Sequence, residues 1–146
     1  MTKPKSLYNH PKKKKKMRRP EQLLQIGVMN FVRRVMELDK YKRFICFHVP
    51  NGGGRSKAEG SIFKAMGVMA GVADLVILIA ANKVHAQPTT IFIEMKAKDG
   101  DLSDSQIWFE DTVCAMGFKY YIIEAPNANA ALCMFIEIMK ENGVRL

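Results

Sequence analysis

Residues 74–96 constrain the fold more than any other stretch of the chain. Leu75 to Ala81 is an unbroken apolar run. A run of that length, bounded by turn signals, reads as a strand buried on both faces. Asn82 to Pro88 then reads as a loop. Thr90 to Lys96 alternates, with Ile91, Ile93 and Met95 on one side and Phe92, Glu94 and Lys96 on the other. If the two strands form a hairpin symmetric about a point between residues 84 and 86, Asp74 faces a residue between 94 and 98. Asp74 and Glu94 then meet at one end of an otherwise apolar sheet.

A strand covered on both faces demands layers on both sides, and the flanking sequence supplies them. Leu24, Val28, Phe31, Val35 and Leu38 recur at helical spacing behind Pro20, a residue suited to a first helical turn, which predicts a helix over about 20–40. Arg43 to Val49 reads as a strand ended by Pro50, Asn51 and three glycines. Residues 56–67 predict a second helix closed by Gly67, and Ser103 to about Met116 a third closed by Gly117. Lys119 to Glu124 reads as a fourth strand and residues 128–142 as a last helix. The order α, β, α, β, β, α, β, α with a central hairpin argues an α/β domain: a mixed β-sheet flanked by helices.

Charge divides the chain. Residues 1–19 hold Lys3, Lys5, Lys12, Lys13, Lys14, Lys15, Lys16, Arg18 and Arg19 and no acid, whereas the remainder has 14 basic and 14 acidic residues. The formal net charge of +9 therefore belongs to a tail expected to be disordered, and residues 20–146 form a neutral domain. The longest apolar stretch, Ala65 to Ala81, is broken by Asp74 and glycines and falls short of a membrane span. Charge without an apolar core segment behind it excludes a secretory signal at the N-terminus, which leaves cytoplasmic residence as the default. In a eukaryotic source the basic run would read as a nuclear localisation signal. Cys46, Cys114 and Cys133 sit in apolar segments and are expected to be small buried hydrophobes. Neither they nor the three histidines have zinc-ligand spacing.

Two carboxylates side by side repel each other, so Asp74 and Glu94 require a compensating positive charge. Lys96 is one candidate and a divalent hard cation, held by carboxylates and water, is the other. Glu21, on the core-facing stripe of the first helix, offers a third carboxylate, although an acid in a first turn also suits the helix dipole. Gln106 completes an S-x-x-Q capping box with Ser103, a structural use that competes with a catalytic one. Asn51, Gly52 to Gly54 and Arg55 form either an ordinary turn or a set of amides and a guanidinium that approach phosphate.

These residues carry a resemblance. Glu21 in the first helix, HVPNGGGRS at 48–56, GVMAGVADLVIL at 67–78, FIEMKAKDGDLSDSQ at 92–106 and the strand YYIIE together resemble the VRR-NUC domain, the virus-type replication and repair nuclease family of the PD-(D/E)xK superfamily. The resemblance spans about residues 20–125. G-V-x-D, then E-x-K, then L-S-x-x-Q in that order is its specific part. It implies a restriction-endonuclease-like core and a stand-alone, phage- or virus-like member. Asp74 and Glu94 would be metal ligands for Mg²⁺ or Mn²⁺, with the Met95 backbone carbonyl completing the set and Glu21 assisting, in part through water. Lys96 would orient or activate the attacking water, and Gln106 would sit at the edge of the site. Ala73 departs from the proline that many relatives carry there, which touches only turn rigidity.

The expected activity is hydrolysis of DNA phosphodiester bonds by metal-activated water. Branched DNA such as four-way (Holliday) junctions is the expected substrate and a homodimer the working unit. Phe109, Val113, Met116, Phe118, Met134 and Met139 offer modest surplus apolar surface for that dimer, although most are expected to be ordinary core. Asn51, Arg55 and the basic residues Lys12 to Lys16, Arg18 and Arg19 would hold DNA. The competing readings are a non-catalytic DNA-binding accessory protein, in which the carboxylates are structural, and a single-strand or RNA nuclease.

Overall fold

In the computed structural model, which describes residues 20–50 and 56–146, the expected elements form in the expected order. They are α1 (Pro20–Leu38), β1 (Phe44–His48), α2 (Lys57–Ala65), β2 (Leu75–Ile79), β3 (Thr89–Ala97), α3 (Asp104–Ala115), β4 (Lys119–Ala125) and α4 (Ala128–Glu141). Side-chain caps set three helix starts. Ser56 and Glu59 form a capping box at α2, Ser103 and Gln106 form one at α3, and Asn127 accepts from the Ala130 amide at α4.

The sheet runs β1-β2-β3-β4, antiparallel except for the parallel pair β3–β4. It is therefore mixed, and the parallel pair follows from the α3 crossover between its strands. The β2–β3 register sets Leu75 beside Ile93, so the hairpin is centred on residue 84 and the next pair outward is Asp74 with Glu94.

Strand alternation sends two sets of side chains to two layers. On one face Leu75, Ile77, Ile91, Ile93, Met95 and Ile123 are fully buried against Val28 and Val32 of α1 and Phe135 and Met139 of α4. Gly27 lets these two helices cross closely, since a Cβ there would lie 2.6 Å from that of Ala128. On the other face α3 packs Phe109 and Val113 against Ala73, Phe92, Phe118 and Tyr120. Phe92 and Phe109 meet edge to face at 5.3 Å.

Three expectations need correction. β2 is not buried on both faces: Leu78 is exposed and Val76 half-buried, because α3 covers only β3 and β4 on that side and α2 buries none of its residues. Cys46 is buried, but Cys114 and Cys133 are exposed on the outer faces of α3 and α4. The buried stripe of α1 is Leu24, Val28, Met29 and Val32, while Leu38 is exposed where the helix runs past the sheet. The apolar group offered for a dimer is mostly core, as expected: Phe109, Val113 and Met139 are buried, Phe118 is half-buried, and Met116 and Met134 are exposed.

Candidate active site

Asp74 precedes β2 and is held at both its backbone and its side chain. Its carbonyl accepts the Val49 amide at 3.0 Å and His48 Nδ1 at 2.7 Å, and its Oδ2 accepts the Met95 amide at 2.9 Å. A carbonyl can only accept, so Nδ1 of His48 donates in this contact. The strands β1, β2 and β3 are thereby tied together around one residue, Asp74.

Glu94 and Lys96 project from β3 on the α3 side and are both buried. Lys96 Nζ lies 3.5 Å from Glu94 Oε1 and donates to Gln106 Oε1 at 3.0 Å. Gln106 Nε2 donates in turn to Glu94 Oε1. Gln106 Oε1 also accepts the Ser103 amide at 2.9 Å, so one side chain caps α3 and clamps the Glu94–Lys96 pair. The two readings of Gln106 coexist. Gly71 makes the approach of α3 possible: at φ +83° a Cβ there would stand 2.1 Å from the Ser105 carbonyl oxygen.

Burial raises the pKa of Glu94 to about 7, with the Asp74 charge adding to the rise and Lys96 opposing it. Burial likewise raises that of Asp74, against the Met95 amide, His48 and Lys96, while the charge of Glu21 adds to the rise. Glu94 Oε2 is buried with no hydrogen-bond partner among the described residues. Two carboxyls that disfavour each other's ionisation, one of them with an unpartnered oxygen, suit a hard divalent cation. Among the described residues no three His, Cys, Asp or Glu side chains gather closely enough to hold a metal, so the acidic set is a pair with Glu21 standing off.

Glu21, Asp74, Glu94, Met95, Lys96 and Gln106 all line one cleft of about 340 Å³, together with Gln22, Gln25, His48, Gly71 and Ser103. Asn51, Arg55, Lys12 to Lys16, Arg18 and Arg19 lie outside the described residues. A larger apolar groove of about 900 Å³ along Phe44 to Cys46 contains none of the cleft's carboxylates. Sequence reasoning missed His48, a lone histidine at the end of a strand. Its signal lay in the register, which sets β1 beside the segment that opens with Asp74. It also missed Tyr120, whose hydroxyl is buried without a hydrogen-bond partner among the described residues. Burial and then the nearby charge of Glu94 push the Tyr120 pKa up, so the phenol keeps its proton.

No protein-family model and no curated protein sequence matches the chain. Its backbone is similar to a solved structure described as a "VRR_NUC domain protein", with a TM-score of 0.61 and 23% sequence identity over 89% of this chain and 95% of that one. The mixed four-stranded sheet, the crossover helix over β3 and β4, and the paired α1 and α4 behind it therefore compose an α/β fold shared with that VRR_NUC domain protein.

Proposed function

We propose that the protein is a divalent-metal-dependent, structure-selective endodeoxyribonuclease that acts on branched DNA such as four-way junctions. The observation that carries this reading is the conjunction of Asp74, Glu94, Lys96 and Gln106 in one cleft of a fold shared with a VRR_NUC domain protein. Asp74 and Glu94 would hold Mg²⁺ or Mn²⁺, with the Met95 carbonyl as a further ligand and Glu21 assisting through water. Such a cation would supply a more acidic bound water and a positive charge opposite the scissile phosphate. Lys96, anchored by Gln106 and Glu94, directs its ammonium protons at the attacking oxygen or the phosphate. Gln106 keeps Lys96 and Glu94 in register with the end of α3. His48 keeps the Asp74 backbone in place and lines the cleft. Asn51, Arg55 and the basic tail hold the DNA backbone.

A non-catalytic DNA-binding role would leave a buried Glu94 beside Asp74 without a purpose, since such a pair costs stability unless it serves a ligand. The deciding experiment incubates the protein with labelled single strands, duplex, flaps, four-way junctions and RNA, with and without Mg²⁺, beside Asp74→Ala. Metal-dependent incision of junctions, lost in a folded Asp74→Ala protein, is the expected result. Cleavage by Asp74→Ala at the wild-type rate would remove the site, and preferred cutting of RNA or single strands would change the substrate class.

A further inference from the structure

Two buried polar atoms lack a hydrogen-bond partner among the described residues, Glu94 Oε2 and Tyr120 Oη. Both sit on the same side of the sheet. Tyr120 stands beside Phe92 in the parallel β3–β4 pair and Glu94 beside Ile122, so Tyr120 and Glu94 occupy diagonal positions on the α3 face. Diagonal neighbours on adjoining strands are within reach of an aromatic side chain. The Tyr120 ring is fixed against Phe109, 6.3 Å between centroids, in the cluster that also holds Phe92 and Ala73, the residue before Asp74. Orphaned buried polar atoms are rare because each costs the free energy of its lost water contacts. A donor without an acceptor and an acceptor without a donor, diagonal to each other on one buried face, are one problem with one solution.

We infer that Tyr120 is a positioning residue of the cleft, its hydroxyl donating to Glu94 Oε2 directly after a small rotation or through one buried water. Oε1 of Glu94 is held by Gln106 and Lys96, so the link to Oε2 holds the other oxygen and fixes the plane of the carboxylate. A carboxylate oxygen has two acceptor sites, so Oε2 can take this hydrogen bond and still serve a cation. Outer partners of this kind orient metal-binding carboxylates. The inference rests on the metal-dependent reading of the cleft.

Tyr120→Phe tests it without disturbing the aromatic packing. If the hydroxyl were a true orphan, its removal would raise stability, because a buried unsatisfied group disappears. If it serves Glu94, Tyr120→Phe lowers the folding equilibrium constant about tenfold, and that loss vanishes in a Glu94→Ala background, as a double-mutant cycle reads it. Mn²⁺ titration followed by electron paramagnetic resonance is the second readout, with Mn²⁺ affinity expected to fall about tenfold or more in the full-length Tyr120→Phe chain. A stability gain, additive losses in the cycle, or unchanged Mn²⁺ affinity in a wild type that binds Mn²⁺ would each overturn the role of Tyr120 and leave the nuclease reading standing. A wild type that binds Mn²⁺ no better than Asp74→Ala would instead bring down the nuclease reading, and this inference with it.

Discussion

At the scale of single residues, Glu94 is the position where structure and chemistry conflict. Its pKa of about 7, against an ordinary 4.5, is set first by burial and then by Asp74. Below about pH 4.5 folded and unfolded chains both hold the proton. Between about pH 4.5 and 7 the folded chain keeps a proton that the unfolded chain has released, so the metal-free protein loses stability as pH rises through that window. Urea melts in chelator across this range should show the decline, and Glu94→Gln should flatten it. An undiminished slope in the variant would assign the titration to another group. The buried ion pair with Lys96 is then better read as a poised site than as a source of stability, because removing two charges from water offsets most of their attraction.

Among the elements, the loop before β2 decides whether α3 reaches the cleft. Gly71 has a positive φ and faces the Ser105 carbonyl at a distance no side chain tolerates. Gly71→Ala should cost about 2–3 kcal/mol in a denaturant melt. It should also reduce Mg²⁺-dependent cleavage by more than its stability loss explains, since α3 carries Gln106. Normal activity with only a lower melting temperature would show that α3 keeps its place without this contact. α2 has the opposite character: it is well capped by Ser56 and Glu59, yet it buries nothing. Ile62 and Met66 are exposed on or beside it, at 59% and 73%.

For the whole molecule, the separation of charge predicts a separation of tasks. Deleting residues 1–19 should weaken binding to all DNA alike. The slope of log affinity against log salt should fall by about 4 if roughly half of the tail's charges neutralise phosphates, while cleavage at saturating substrate should persist. An unchanged slope would mean that the tail does not touch DNA. The homodimer remains the proposed working unit, because a two-fold junction needs two incisions at related positions. The proposed apolar contact draws on exposed residues, Ile62 and Met66 at α2 together with Met116 and Met134. Light scattering should give a dimeric mass that Met66→Asp halves. A monomeric wild type, with cruciform plasmids that linearise only at a second encounter, would leave a nickase of branched DNA. No helix among the described residues is long and apolar enough to cross a membrane.

Local pattern by itself determined the element order, the mixed sheet and the meeting of Asp74 with Glu94. Hydrophobic period and turn residues are short-range signals, and a hairpin's register follows from its own two strands. Gln106 was readable as a cap for the same reason, three residues beyond Ser103. What only the tertiary structure decided depends on contacts between segments far apart in the chain. His48 reached Asp74 because β1 lies beside β2, and Tyr120 reached the Glu94 face because α3 returns the chain to a parallel strand. The outer face of β2 stayed open because one short helix is too narrow to cover four strands. Apolar runs state how much surface a strand offers for burial, and packing alone states how much of it is covered.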